Sequence, residues 1–160
     1  MQLWLVRHAV AADREEFEGP DAERPLTGKG RKRFREFCKW LSGEGVMPER
    51  IITSPLVRAS QTAYILAKAA GFKKSKVTFT DLLAPGVDVN ALTQFLHDQP
   101  AERVALVGHE PDMSQCLADL IGGGQYAFGK GFIAAIEFDS IPAIGAGRLR
   151  WLVGPVFAAE

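Results

Sequence analysis

Short apolar runs alternate along this chain with segments of helical spacing, and no other feature limits the fold as strongly. Six runs rich in branched and aromatic residues are typical of strands; they cover 3–6, 50–53, 77–79, 104–108, 131–138 and 148–153. Four segments between them repeat apolar side chains every three or four positions, as amphipathic helices do. These helical stripes are Phe34, Phe37, Cys38 and Leu41; Leu56, Ala59, Ala63, Leu66, Ala67 and Ala70; Leu92, Phe95 and Leu96; and Met113, Cys116, Leu117, Leu120 and Ile121.

This order of elements predicts an α/β fold, a three-layer sandwich in which helices flank a mostly parallel central sheet. Residues 139–147 are rich in turn formers, and the last two strands are therefore expected to form a hairpin. The 160 residues show no repeat and no linker that would divide them. We predict a single domain over 1–160, long enough to bury a core of its own.

Charge and cysteine content exclude several classes of partner. The 19 basic and 19 acidic side chains cancel, which gives no electrostatic reason to expect binding to nucleic acid or to an anionic membrane. No apolar stretch approaches the roughly 18 residues that a transmembrane helix needs. Cys38 and Cys116 show no metal-type spacing, fall on the helical stripes and follow no secretory leader. We therefore expect buried, reduced thiols in a cytoplasmic protein.

Cationic and imidazole side chains follow three of the predicted strands. Arg7 and His8 come directly after the first strand, Arg58 lies shortly after the second, and His109 follows the run that ends on Gly108. In an open α/β sheet, ligands bind outside the carboxyl ends of the strands. These four side chains are therefore expected to converge.

Two of these loops also lead into helices. Ser54 is a good N-cap and Pro55 a good first helical residue, which predicts a helix that begins there and carries Arg58 within about one turn of its start. Pro111 can open the helix after His109 in the same way. Two arginines, two histidines and two helix N-termini at one edge describe a site for a tetrahedral dianion, and phosphate is the obvious candidate.

Each of these residues, taken singly, has a structural explanation. Arg58 could be a solvated helix residue, His109 could hydrogen-bond its own loop, and the same caution applies to Arg7 and His8. The recurrence of Arg or His in one structural position after three strands is what favours a functional site over coincidence.

Four short motifs resemble, in their order, the signature of the histidine phosphatase superfamily. They are "RHA" at 7–9, "RPLTGKG" at 24–30, "SPLVRASQT" at 54–62 and "GHEP" at 108–111. Ala9 stands where the superfamily usually has glycine. That alanine, the short chain and the segments "KGFIAAIEF" and "RWLVGP" resemble the SixA-type phosphohistidine phosphatases. The resemblance covers nearly the whole chain and implies a phosphoglycerate mutase-like fold.

The resemblance implies a phosphatase that needs neither metal nor cofactor. His8 would attack phosphorus as the nucleophile and become a transient phosphohistidine, Arg7 and Arg58 would clamp the phosphoryl oxygens, and His109 would donate to them in the transition state. The attacking imidazole must be neutral, because only an unprotonated nitrogen has a lone pair to donate, and nearby cations lower its pKa. The implied substrate is a histidine-phosphorylated protein, such as a phosphotransfer domain in signal transduction, and we expect the enzyme to be a monomer.

The proton donor is left open by the sequence. Many superfamily phosphatases carry an acid in the region that corresponds to 80–90 here, where Asp81 and Asp88 lie. Asp88 is also well placed to cap the helix that carries Leu92, and Glu110 could either act as the acid or orient its loop. The imidazole that leaves a phosphohistidine can pick up its proton without an enzymatic acid. The lack of a recognisable acid therefore favours phosphohistidine over an alkyl phosphate ester.

The remaining features of the sequence give weaker evidence of function. Residues 12–27 are too polar for a core and are expected to form a solvated surface loop, with a lip that contacts a protein substrate as the alternative. Lys130 could reach an anion, His97 is expected at the surface, and the glycines at 122–124 are expected to end a helix.

One alternative within the same superfamily and two from other classes of protein remain. A phosphatase for a small phosphoester such as a sugar phosphate is favoured if Asp81 or Asp88 works as an acid. A module that binds phospho-ligands without turnover is opposed by the complete Arg and His set. A metalloprotein with His8, His97 and His109 as ligands finds no close ligand spacing in the sequence.

Overall fold

The computed structural model describes residues 1–157, and the chain alternates strands and helices through this part. The main elements are β1 (Gln2–Arg7), α1 (Gly28–Gly43), β2 (Arg50–Thr53), α2 (Val57–Ala69), β3 (Thr78–Phe79), α3 (Val89–His97), β4 (Arg103–Gly108), α4 (Asp112–Ile121), β5 (Ile133–Glu137) and β6 (Arg148–Val153). Short 3₁₀ turns lie at Asp21–Glu23, Lys74–Lys76, Asp81–Leu83 and Pro155–Phe157.

The six strands form one mixed sheet in the order β3-β2-β4-β1-β5-β6. The first four strands run parallel to one another, whereas β5 and β6 pair antiparallel as a hairpin beside β1. The predicted α/β sandwich, its mostly parallel sheet and its terminal hairpin are confirmed. The predicted strands at 50–53 and 148–153 are reproduced in full.

Alternate residues of β1 serve two separate cores, one on each face of the sheet. Trp4 and Val6 pack on the side of α1 and α2, whereas Leu3 and Leu5 pack on the side of α3 and α4. All four are fully buried, and complete burial of such a side chain contributes roughly 1.5 to 3 kcal/mol to folding. The helices on both faces hold the central strands in place, and the loops that carry the candidate site residues follow from the ends of these strands.

The predicted start of α2 is wrong by two residues. Ser54 is not an N-cap: its backbone N–H donates to Val107 O at 3.0 Å, which continues the pairing with β4, and its Oγ accepts from the Leu56 N–H at 3.2 Å. Leu56 stands at the N-cap in an extended conformation, and α2 begins at Val57. Arg58 still lies in the first helical turn, as expected.

Three smaller expectations hold, and the one for Pro111 does not. Asp88 caps α3, and its Oδ1 accepts from the N–H groups of Asn90 and Ala91 at 2.9 and 3.4 Å. Gly122 ends α4 with φ of 93°, a left-handed conformation that favours glycine. His97 is exposed at the last position of α3. Pro111 stands at the N-cap of α4 rather than at its first helical position. Within residues 1–157 no helix is both long and apolar enough to span a membrane.

Candidate active site

A cleft of about 760 Å³ lies at the carboxyl edge of the parallel strands. Arg7, His8, Arg58 and His109 all line it, so the four side chains that the sequence predicts to converge do lie together. The other lining residues come from the loop after β1 and from single positions elsewhere: Val10, Ala11, Ala12, Asp13, Arg14, Glu16, Asp21, Arg24, Thr27, Pro85, Glu110 and Lys130.

The strand register brings the two histidines together. β1 and β4 are parallel neighbours in which Arg7 is paired with Gly108, so the residue after each strand reaches the same edge. The His8 N–H continues this pairing by donating to Gly108 O at 3.0 Å. The two imidazole rings lie 5.4 Å apart between centroids. Only 7% of His8 and 3% of His109 is exposed.

The imidazole of His8 is held in one tautomer by the backbone of the next residue. Its Nδ1 lies 2.7 Å from the carbonyl oxygen of Ala9, an atom that can only accept, so Nδ1–H donates and the lone pair is on Nε2. Ala9 is fixed in turn, because its N–H donates to Thr62 Oγ1 at 3.0 Å while that hydroxyl donates to Arg58 O at 2.7 Å. Thr62 thus ties His8 to α2, a role that sequence reasoning missed.

Burial keeps both histidines neutral. The pKa of His8 falls to about 4, first because the ring is desolvated and then because Arg58, Arg7 and Arg24 are close. The pKa of His109 falls to about 3 for the same first reason, reinforced by His8 and Arg58. Nε2 of His109 lies 2.8 Å from Ser54 Oγ, and its buried Nδ1 has no partner within the described chain.

These lowered pKa values predict a loss of stability in mild acid. An unfolded histidine takes up a proton near pH 6.5, but folded His8 does so only near pH 4, so the unfolding free energy should fall as the pH drops from 6.5 towards 4. For His8 alone the fall between pH 7 and pH 5 is about 2 kcal/mol. The fall in unfolding free energy is measured by urea unfolding of the wild type and of His8→Gln at pH 7 and at pH 5. The account is wrong if the two proteins lose equal stability.

The guanidinium of Arg58 is oriented by Asp21. Nη1 donates to the Asp21 carbonyl oxygen at 2.9 Å, and Nη2 donates to Asp21 Oδ2 at 3.0 Å. Only 3% of Arg58 is exposed, and its buried Nε–H has no partner within residues 1–157. Arg58 therefore keeps a donor that is free to bind a ligand on a side chain whose position is fixed.

Arg7, which also lines the cleft, is held in a similar way. Its Nη1 donates to Phe128 O at 2.9 Å, and its buried Nε–H is also without a partner in the described residues. Unsatisfied buried guanidinium donors are costly in an empty protein. Two of them beside His8 are what a site for a tetrahedral anion requires.

Arg24 is a third arginine in the cleft, and sequence reasoning gave it no role. Only 9% of it is exposed; Nη1 donates to Ala12 O at 2.8 Å and Nε donates to Asp21 Oδ1 at 3.0 Å. Residues 13–16 and 18–23 are exposed, as expected of the loop at 12–27, but the loop also forms one wall of the cleft. The "RPLTGKG" motif that begins at Arg24 was the signal that could have found this residue.

The three candidate acids are placed differently. Asp81 and Asp88 are exposed, and neither is among the residues that line the cleft. Glu110 lines the cleft, but its two carboxylate oxygens accept from the Ser114 N–H at 2.7 Å and from the Ser114 hydroxyl at 2.8 Å. Glu110 is thus engaged in orienting the start of α4.

Two further residues that the sequence analysis considered, Lys130 and His97, are placed differently. Lys130 lines the cleft, whereas His97 does not. Among residues 1–157 no group of three or more His, Cys, Asp or Glu side chains is arranged to hold a metal ion.

Arginine and histidine side chains from three strand ends surround one cleft, and comparison with known proteins identifies the class of enzyme. Residues 3–84 match the family described as Histidine phosphatase superfamily (branch 1). The chain belongs to this superfamily.

Within the superfamily the chain is similar to SixA. It is 30% identical over 159 residues to the phosphohistidine phosphatase SixA of Escherichia coli K12, which covers 97% of this chain and 94% of that protein. A solved structure of the protein histidine phosphatase SixA complexed with tungstate superposes with a TM-score of 0.86 at 28% identity, over 98% of this chain and 99% of that one. An uncharacterized protein of Picosynechococcus sp. is 40% identical over 128 residues, 78% of this chain and 75% of the relative.

Proposed function

We propose that this protein is a phosphohistidine phosphatase that acts through a covalent intermediate on His8. The observation that carries the proposal is the state of that side chain. His8 is neutral, its Nδ1 is bonded to the Ala9 carbonyl, and Nε2 is left with a lone pair in a cleft lined by arginines. A nucleophile for phosphorus needs these properties.

The proposed reaction consists of two displacements at phosphorus. In the first, Nε2 of His8 forms a bond to phosphorus while the P–N bond of the substrate breaks. The electron pair stays on the leaving imidazole nitrogen, which takes a proton from solvent. In the second, water attacks the phosphorus of phosphorylated His8, loses a proton and releases inorganic phosphate, and the bond to Nε2 breaks. Each displacement returns a neutral imidazole.

The cations around His8 have an electrostatic role in both steps. We assign Arg7 and Arg58 to the phosphoryl oxygens because each carries a buried, unpartnered Nε–H beside the nucleophile, and we add Arg24 on its position in the cleft. His109 is assigned as a further donor in the transition state. Groups that are held before the reaction begins stabilise developing charge without a reorganisation cost.

The positions and contacts of the three candidate acids favour a phosphoramidate substrate over an alkyl phosphate ester. Asp81 and Asp88 lie outside the cleft, and both carboxylate oxygens of Glu110 are bound to Ser114. A general acid contributes roughly a hundredfold to ten-thousandfold to reactions that need one. An alkyl phosphate ester needs one because alkoxide is a poor leaving group, whereas the imidazole of phosphohistidine does not.

The comparison proteins support the same substrate class. The E. coli relative is named a phosphohistidine phosphatase, and the SixA structure holds tungstate, a tetrahedral oxyanion of the same shape as phosphate. Most residues that line the cleft of about 760 Å³ are charged or polar, which suits a phosphohistidine that projects from a protein surface.

Substrate preference tests this proposal. We expect kcat/KM for free phosphohistidine to exceed that for a sugar phosphate by about a hundredfold or more, since only the ester requires the missing acid. Phosphate release from both substrates is measured at one pH with the same enzyme. Equal rates, or a preference for the ester, would favour the small-molecule phosphatase. No release from either, with phosphate still bound, would favour a binding module.

A further inference from the structure

We propose that a basic groove between α1 and α2 is a docking site for an acidic, amphipathic segment of the phosphoprotein substrate. The groove has a volume of about 470 Å³, and five cationic side chains line it: Arg31, Arg35, Lys39, Lys68 and Lys74. Its identity as a substrate-docking site rests on the proposed function. The inference that the groove binds acidic segments does not depend on the proposed function.

The cations form an ordered array. Arg31, Arg35 and Lys39 follow one another at intervals of four residues, so they lie along one face of α1. Lys68 belongs to α2 on the other side of the groove, and Lys74 comes from the 3₁₀ turn that follows. The Lys74 ammonium lies 4.9 Å from the centroid of the Tyr64 ring, a cation–π distance that fixes it over the groove.

The positive charge of the basic groove is not neutralised by the protein itself. Among residues 1–157, the salt bridges involve the arginines Arg14, Arg24, Arg58, Arg148 and Arg150 and none of the five groove cations. No carboxylate of the described chain lines the groove. The full sequence has a net charge of zero, so the excess is local. A surface of this kind attracts an anionic partner and orients it.

The floor of the basic groove is apolar and recessed. Tyr64, Ile65 and Ala69 line it from α2 and are half-buried between the two helices. A partner that fits must bring apolar side chains for this floor and acidic side chains for the rim, as one face and the flanks of an amphipathic acidic helix do. An anionic membrane would meet the cations but would not reach a floor between two helices, so the shape favours a protein segment.

The basic groove begins beside the catalytic cleft. Gln61 lines the groove, and its Oε1 accepts from the Leu26 N–H at 2.8 Å. Thr27, which follows Leu26 in the chain, caps α1 and lines the cleft. Arg31 and Lys39 are eight residues apart on α1, which is about 12 Å along the helix axis or a little over two turns, and so the groove leads away from the cleft along α1. A bound segment would hold its protein with the phosphohistidine at the mouth of the cleft.

Direct binding tests the groove independently of catalysis. The probe is a fluorescein-labelled synthetic helix with leucine on one face and glutamate on its flanks, compared with the same helix carrying glutamine for glutamate. We expect Arg35→Glu/Lys39→Glu to weaken binding of the acidic helix about tenfold or more and the glutamine helix to bind poorly to either protein. Added salt should weaken the wild-type complex.

Lys29→Glu/Arg33→Glu is the matched control. It changes the same charge on the same helix with the same four-residue spacing, and all four positions are exposed. Neither residue of the control lines the basic groove. We expect it to bind the acidic helix within about twofold of the wild type. Equal losses in both double variants, or no preference of the wild type for glutamate, would overturn the proposal.

A kinetic comparison then tests the link to substrate. A phosphohistidine peptide extended by the acidic helix should show a rise in KM of about tenfold in Arg35→Glu/Lys39→Glu, whereas kcat/KM for free phosphohistidine should be unchanged. If the wild type hydrolyses neither, the proposed function fails while the binding result stands. If vesicles of phosphatidylserine and phosphatidylcholine bind through Arg35 and Lys39 and the acidic helix does not, the groove is a membrane site and the docking proposal is wrong.

Discussion

His8→Ala is expected to lower phosphohistidine hydrolysis by at least about ten-thousandfold, because removal of a covalent nucleophile closes the whole reaction path. The cleft should still bind the oxyanion, since Arg7, Arg24 and Arg58 are untouched. Phosphate release and tungstate binding, measured on the same preparation, separate the two effects. His97→Ala is the control, because His97 is exposed at the end of α3 and lies outside the cleft.

Turnover by His8→Ala within about tenfold of the wild type would mean that water attacks the substrate directly. Loss of tungstate binding together with activity would show instead that the imidazole serves mainly to bind the oxyanion. Either result would remove the covalent step from the proposed mechanism. An effect of equal size in His97→Ala would point to a general loss of structure.

Arg58→Ala is expected to lower kcat/KM about a hundred- to thousandfold, which corresponds to about 2.7 to 4 kcal/mol of transition-state stabilisation. The physical reason is the loss of a preorganised guanidinium with a free Nε–H beside His8. Arg58→Lys keeps the charge but loses the planar fork that matches a phosphoryl group. It should therefore recover only part of the rate.

The folded state must be verified for Arg58→Ala because the side chain is buried and bound to Asp21. Urea unfolding of each variant supplies that control. If folded Arg58→Ala retains a rate close to that of the wild type, Arg58 does not act on the phosphoryl group. Full recovery in Arg58→Lys would show that charge alone is needed.

The sequence predicts most of the fold because its apolar periodicities are strong and uninterrupted. The run at 148–153 and the stripe through Phe34 and Leu41 have no competing interpretation, and the strands and helices follow them. The start of α2 was misplaced because Ser54 satisfies a local capping preference. Pairing of its backbone with Val107, a residue more than fifty positions away, overrides that preference.

The cleft was predictable where residues follow strand ends and not where tertiary contacts bring them in. Arg7, His8 and His109 occupy positions set by strand topology, which a sequence pattern reveals. Arg24 belongs to a polar loop without regular structure, and its burial depends on Asp21 and on the Ala12 carbonyl. The periodicity of apolar residues in the sequence does not indicate such tertiary contacts.

The covalent step is tested most directly by trapping the phosphorylated enzyme. Wild-type protein is exposed briefly to phosphohistidine labelled in the phosphoryl group, denatured in alkali, and digested to locate the label. The account predicts an acid-labile label on His8, absent from His8→Ala and present in His97→Ala. Release of labelled phosphate by the wild type with no label on His8, at times short enough to precede hydrolysis of an intermediate, would contradict it.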